Sequence, residues 1–251
     1  MIPEFGPVYD EEAIFSPEDA VSGEGRPDLP AAMILGFQDV LLDSVEAVGE
    51  PIDHPPGPFE YHALSESVGF APVQRMGVGA PVAAIATEKA IAGGAETVLM
   101  LGGTAALQPD LSPESALLPT RAVRDEGVSY HYLPPDEPAR PTPALVDRLE
   151  TTFEARGIDT HNGPTWTTSA VFRETIPQLD HYRREGFVSL CMETAAIWAV
   201  CAYRGVDTAT VHAIDGYAVP GEQRSADGLD DRLATLLEPI VEALEAHVGS
   251  R

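Results

Sequence analysis

Glu193 ends a short apolar run, Val188-Ser189-Leu190-Cys191-Met192, and begins a stretch of small residues, Thr194-Ala195-Ala196. The pattern predicts a buried strand running straight into a packed helix, with one carboxylate at the junction. Burying an unpaired charge costs several kcal/mol in order of magnitude, so this carboxylate needs a partner. Two neighbouring sugar hydroxyls supply one, because both can donate to a single carboxylate. Met192 offers a soft surface for the apolar face of a sugar. The competing reading makes Glu193 a first-turn charge favoured by the helix dipole.

Three further clusters carry chemistry. Arg75-Met76-Gly77-Val78-Gly79-Ala80-Pro81 places two glycines and an arginine between a strand and a helix, where free N–H groups can hold an anion. Gly102-Gly103-Thr104 follows the apolar strand Thr97 to Leu101, and Asp215 follows the apolar strand Thr208 to Ile214. Open α/β sheets hold ligands at such strand ends. Arg121, Arg124 and His131 crowd into one segment of an acidic chain, and Arg173 with Glu174 follows in a second. Local ion pairs of small worth are the plain alternative for these arginines. His212 inside a strand reads as a satisfied core histidine.

The elements that must position these groups are legible in outline. Residues 1 to 30, with Pro3, Pro7, Pro17, Pro27 and Pro30, read as an extended arm, and residues 31 to 251 as one α/β domain. Ala31 to Gly36 is a buried strand and Gln38 to Val48 a helix, followed by a Gly/Pro-rich linker to Pro58. Strands are expected at Phe59 to Leu64 and Phe70 to Met76, and an Ala-rich helix from Pro81 to Ala92 capped by Gly93-Gly94. Pro134 to Pro143 reads as a linker, Pro143 to Arg156 as a surface helix, and Gly163 to Thr168 as a strand or loop carrying Trp166. His181 to Arg184 reads as solvated, and Leu229 to Val248 as a closing helix bent or interrupted at Pro239. The alternation of strands and helices makes the core strands parallel neighbours.

Composition narrows the partners. The chain has 251 residues, 40 acidic and 15 basic, for a net charge of −25, and Lys89 is its only lysine. Such a surface repels nucleic acid and anionic lipid. Concentrated salt would screen the self-repulsion, so the chain is expected in the cytoplasm of a salt-accumulating halophile. Cys191 and Cys201 are ten residues apart on one expected strand–helix unit, too far for a disulfide. No secretory leader, membrane-length apolar run, metal-ligand spacing or Gly-x-Ser-x-Gly elbow is visible.

Taken in order, these motifs resemble the nucleoside phosphorylase family that includes uridine phosphorylase and hexameric purine nucleoside phosphorylase. The resemblance runs from about Ala31 to the closing helix. It rests on the strand ending at Gly36, the turn Val78 to Pro81, Gly102 to Leu107, Arg124 to Tyr132, Gly163 to Thr168, Val171 to Thr175 and Cys191 to Ala196. It implies a single α/β domain with a central, mixed, partly barrel-like sheet flanked by helices. It also implies a homo-oligomer, from dimer to hexamer, with no metal or organic cofactor and with phosphate as co-substrate. The implied reaction is reversible phosphorolysis of uridine or a related nucleoside. The alternatives are hydrolysis on the same scaffold, or nucleoside binding without catalysis.

Residue by residue, the resemblance assigns Met192 and Glu193 to the ribose. Trp166, Thr167 and Arg173 are assigned to the base, and Asp215 together with Arg173 to catalysis. Phosphate is read, from the residues that remain rather than from the resemblance, at Gly36, Gly79, Gly103 and Thr104, with Arg75 or Arg124 replacing the family's arginines. The family's phosphate loop, Gly-Asp-Pro-x-Arg, falls at Gly36-Phe37-Gln38-Asp39-Val40, without its arginine. A second phosphate arginine falls at Met100, the Glu before Met-Glu at Cys191, and the purine-protonating Asp at Gly216, one place after Asp215.

Overall fold

The structure is a computed structural model, and it describes residues 6, 8–9, 11, 13–21, 26–54, 59–221 and 224–251. The rest of the expected arm and the tip of the 49–58 linker lie outside the described residues. The elements in chain order are α1 (Pro17–Val21), β1 (Ala32–Gly36), α2 (Val40–Glu46), β2 (Glu50–Pro51), β3 (His62–Ala63), β4 (Val68–Pro72) and α3 (Ala80–Gly93). They continue with β5 (Thr97–Ala106), β6 (Ala116–Asp125), α4 (Pro143–Ala155), β7 (Thr160–Thr168) and α5 (Ile176–Arg184). The last are β8 (Ser189–Cys191), α6 (Thr194–Arg204), β9 (Asp207–Tyr217), β10 (Arg224–Ser225) and α7 (Leu229–Val248).

The strands form one mixed sheet in the order β10-β9-β6-β7-β8-β5-β1-β4-β3-β2, and β5 also pairs with β9. That pairing closes β5, β9, β6, β7 and β8 into a five-stranded barrel, from which β1 to β4 extend as a wing. Length makes the closure possible. β5 has ten residues; its first half pairs with β1, its last two with β8, and β9 runs parallel along all of it. Both faces of β5 are covered, so Val98, Leu99, Met100 and Leu101 are fully buried, as expected for a parallel strand between helical layers.

One helical layer is α2, α4 and α7, whose Leu41, Leu149, Phe153, Leu233 and Ile240 meet Ile34, Leu99 and Val211 of the sheet. The other is α3 and α6, whose Ala83, Ala86, Ala90, Ala195 and Trp198 meet Met33 and Val98. Alanine on α3 lets the two helices lie close, so a core poor in aromatic residues still packs. α7 runs through Pro239 without interruption, where a bend or a break was expected.

Several other elements differ from the sequence expectation. The second expected early strand stops at Pro72, and Val73–Met76 wind into a 3-10 turn. The segment from Ala116 to Asp125 is a ten-residue strand, although its arginines and Pro119 hid the pattern. His181 to Arg184 belong to α5; His181 and Arg184 are exposed as expected, but Tyr182 stacks on Trp166 with centroids 4.6 Å apart, and Arg183 Nε donates to the Leu107 carbonyl. In the arm, Pro17–Val21 are helical and pack on α3. Both cysteines are free and buried; Cys191 lies on β8 and Cys201 on α6.

Candidate active site

The ends of β1, β5, β8 and β9 open onto one cleft of about 270 Å³. Its walls include Gln38, Gln74, Gly103, Thr104, Glu174, Cys191, Met192, Glu193 and Asp215. A larger cavity, about 800 Å³, lies between residues 8–20, α3 and α6, and holds none of these groups. The smaller cleft is where the chemistry-bearing side chains converge.

Glu193 is the N-cap residue of α6 and is buried. Its Oε1 accepts the Gly79 N–H at 2.8 Å, and its Oε2 accepts the Met192 N–H at 3.0 Å. Gly79 sits at φ 98°, a backbone state that a side chain disfavours, and caps the start of α3. The anion at that helix start is therefore Glu193 itself, and the Gly79 N–H expected for phosphate is already engaged. Burial pushes the Glu193 carboxyl up to about 7, with Cys191 adding to the rise and the two N–H bonds opposing it. Each oxygen has accepted only one bond from the chain, so each keeps a lone pair for a hydroxyl in the cleft.

Asp215 reaches the cleft through a β-bulge. Thr104 pairs with Ile214 and Ala105 with Gly216, so Asp215 is the extra residue on β9. A bulge re-aims the side chain it carries. Here a Cβ built on Gly103 would lie 2.9 Å from Asp215 Oδ2 and 2.6 Å from Gln38 Nε2, so glycine makes room for both groups. Neighbouring backbone is clamped: Ala226 N–H donates to the Asp215 carbonyl, and the buried Arg232 guanidinium donates to the carbonyls of Ile214, Ala226 and Asp227. Burial raises the Asp215 carboxyl above its ordinary value, with His212 and Arg232 opposing the rise. Burial likewise raises Glu174.

The structure brings Gly103, Thr104, Met192, Glu193 and Asp215 together, with Gly79 bonded to Glu193 from behind. Thr104 Oγ1 donates to the Leu190 carbonyl at 2.7 Å, which spends its proton. Gly36 ends β1 just before the cleft residues Phe37 and Gln38, and its Cα packs against the Phe70 ring. Arg75 follows Gln74 at the rim, half exposed and paired with Glu60 at 2.9 Å. Arg173 is exposed beside Glu174.

Other expected residues do not line the cleft. Arg124 gives Nε to Ser129 Oγ, Nη1 to the Pro134 and Glu137 carbonyls, and Nη2 to the Leu133 carbonyl, which anchors the loop after β6. Trp166 is core, with Nε1 donating to Asp125 Oδ2 at 3.0 Å. Thr167 Oγ1 accepts the Ala195 N–H at 3.1 Å and so supports α6 from beneath. Gln38, Gln74, Glu174 and Cys191 are cleft residues that sequence reasoning did not assign. Gln38 sits two residues past Gly36, and Glu174 sits beside Arg173, so adjacency to motif residues was the signal available.

Among the described residues lining the cleft there are three carboxyl side chains and no lysine or arginine. No group of three or more His, Cys, Asp or Glu able to hold a metal occurs among the described residues. No helix among the described residues is long and apolar enough to cross a membrane. The arrangement can bind a vicinal diol at Glu193 and presents, at Asp215, a carboxyl whose pKa burial raises.

Residues 31–244 match the family model described as the phosphorylase superfamily. A guanosine phosphorylase from Halorubrum lacusprofundi is 31% identical over 166 residues, covering 66% of this chain and 68% of its own. A uridine phosphorylase from Salmonella typhimurium is 25% identical over 181 residues, covering 66% of this chain and 72% of its own. Purine nucleoside phosphorylase from Toxoplasma gondii, solved with immucillin-H, superposes with a TM-score of 0.75 at 18% identity, over 88% of this chain and 92% of that one. AMP nucleosidase from Bacteroides thetaiotaomicron superposes with a TM-score of 0.72 at 20% identity, over 88% and 91%.

Proposed function

Since the chain belongs to the phosphorylase superfamily, we propose that it cleaves the N-glycosidic bond of a purine ribonucleoside, guanosine first, with phosphate as the attacking group. A phosphate oxygen bonds to C1′ while the C1′–N9 bond breaks. The released electron pair moves onto the base, and the Asp215 proton goes to N7. The products are guanine and ribose 1-phosphate. The observation that carries this reading is the bulge at Asp215, which turns a half-buried carboxyl of raised pKa into the cleft that holds Glu193. A carboxyl whose hold on its proton is strengthened by burial is better placed to supply a leaving-group proton than a free one.

The base follows from hydrogen-bond polarity. Ionised carboxylates accept only. Guanine presents two adjacent donors, N1–H and its amino group, which suit Glu174 in its ionised form. Uracil flanks its one donor with two carbonyls, which a carboxylate repels. Arg173, the expected partner of a pyrimidine carbonyl, is exposed beside the cleft. The relative named guanosine phosphorylase points the same way.

Glu193 and Met192 hold the ribose; Gln38 and Gly103 line the cleft as phosphate contacts, and Arg75, once released from Glu60, and the exposed Arg173 adjoin the lining residues Gln74 and Glu174 in the chain. A second copy of the chain is expected to cover exposed apolar residues such as Ile85 and Tyr203. Hydrolysis by water is the second reading, favoured by the absence of lysine and arginine from the described cleft lining. The test is base release from guanosine, adenosine and uridine in concentrated KCl with phosphate. Guanosine is expected to react fastest, and a faster uridine reaction would overturn the base assignment.

A further inference from the structure

Behind Glu193 lies a buried chain of hydrogen bonds whose direction can be worked out atom by atom. Thr165 Oγ1 donates to the Ser189 carbonyl at 3.2 Å, since a carbonyl only accepts. Ser189 Oγ must then give its own proton to Thr165 Oγ1, 2.8 Å away. Ser189 Oγ therefore accepts from His212 Nδ1, at 3.2 Å. A neutral imidazole carries one N–H, so Nε2 is bare and accepts from Thr194 Oγ1 at 3.3 Å. Met100 Sδ, 3.4 Å from the same hydroxyl, is a weaker acceptor. Thr194 Oγ1 in turn accepts the Cys191 thiol proton at 3.2 Å. His212 is fully buried, and burial pushes it down to about 4, which keeps it neutral as this chain requires.

The ends of this chain lie on either side of the sugar anchor. Ser189 opens β8, a strand of only three residues, and Thr194 is the first residue of α6. Met192 and Glu193 are the two residues between those elements. His212 projects from β9, where it pairs in register with Gly102 of β5. We propose that His212 is a positioning residue for sugar recognition: it locks both ends of the β8–α6 turn to the barrel, and so fixes the direction in which Glu193 faces the 2′ and 3′ hydroxyls. Short strands hold register weakly, and an anchor that must meet two hydroxyls at once tolerates little drift. The proposal rests on the reading that Glu193 binds the sugar diol.

The test measures affinity by titration calorimetry in concentrated KCl for guanosine and for 2′,3′-dideoxyguanosine. The variants are His212→Leu, Thr194→Val, Thr194→Ser and Glu193→Ala. Thr194→Val removes one hydroxyl at nearly constant volume, so it decides the matter if His212→Leu does not fold. His212→Leu and Thr194→Val are expected to weaken guanosine binding about tenfold, roughly the worth of one hydrogen bond. Both should leave dideoxyguanosine within twofold of wild type, and Thr194→Ser should restore the ribose preference. A merely structural role would weaken both ligands alike, and that result overturns the proposal. If Glu193→Ala abolishes the preference while His212→Leu and Thr194→Val leave it intact, the positioning role is wrong and the sugar anchor stands. If Glu193→Ala keeps the preference, or wild type binds neither nucleoside, the sugar-anchor reading fails and this proposal with it.

Discussion

Glu193→Gln should separate the function of this carboxylate from its cost to the fold. Burial raises the carboxyl from 4.5 to about 7. A rise of that size disfavours the ionised form by about 3 kcal/mol. In the unfolded chain the same group titrates near its ordinary value. The folded protein therefore holds the proton between those two values while the unfolded chain has lost it. This contribution to stability is fully present below about pH 4.5 and is lost as pH rises through about 7. Between pH 5 and pH 8 it amounts to about 2.5 kcal/mol. Glutamine does not titrate. It keeps an acceptor for the Gly79 N–H but sets an amide donor against the Met192 N–H, a pH-independent penalty of about 1–3 kcal/mol. Urea unfolding at pH 5 and pH 8, at one protein concentration and in 2 M KCl, gives the comparison. Relative to the variant, wild type should be less stable at pH 8 than at pH 5 by about 2.5 kcal/mol. Parallel pH dependences would show that Glu193 is solvated as an ordinary carboxylate and would refute the argument from burial.

Other outcomes follow from the same geometry. Asp215→Asn should lower kcat on guanosine by about 10²–10⁴-fold with a smaller change in KM, as for loss of a general acid; steady-state kinetics reads this directly. Gly103→Ala should cost activity while the protein stays folded, because the added methyl would fall 2.6 Å from Gln38 Nε2 and 2.9 Å from Asp215 Oδ2; circular dichroism and turnover together check it. Glu88→Ala should destabilise the α3–α6 pair by about 3 kcal/mol, since the Arg204 guanidinium, bonded at 2.8 and 3.1 Å, would be left partly buried without its partner. With a net charge of −25, thermal stability should climb between 0.1 and 2 M KCl as the screening length falls from about 10 Å to below 3 Å.

The strand ends were legible because each is an apolar run stopped by glycine or by one polar residue, so Gly103, Met192, Glu193 and Asp215 could be found by position. The mixed, partly barrel-like sheet was expected through family resemblance; local pattern alone could not show that β5 is long enough to touch three neighbours. β6 was missed because Pro119, Arg121 and Arg124 interrupt its apolar alternation, and its partners are supplied from far along the chain. The arginines were the hardest to place. Arg124 looked like a ligand group because it is a cation in an acidic protein, yet four local acceptors hold it. Nothing in the sequence indicates that those acceptors converge. Asp215 stands one residue before the position the family pattern would give it, and the bulge that turns it into the cleft is a feature of strand pairing, invisible in one strand. Gly79 shows the same limit from the other side: its N–H was read as an open anion site, but tertiary structure delivers an internal anion, Glu193, 114 residues away.

The most direct test of phosphorolysis is to incubate guanosine with the protein in concentrated KCl, with and without phosphate, and to follow both guanine and the phosphorus spectrum. The account predicts guanine release only with phosphate, matched one for one by a new sugar phosphate ester signal. Guanine release at the same rate without phosphate, and no ester, would contradict it and make the enzyme a hydrolase.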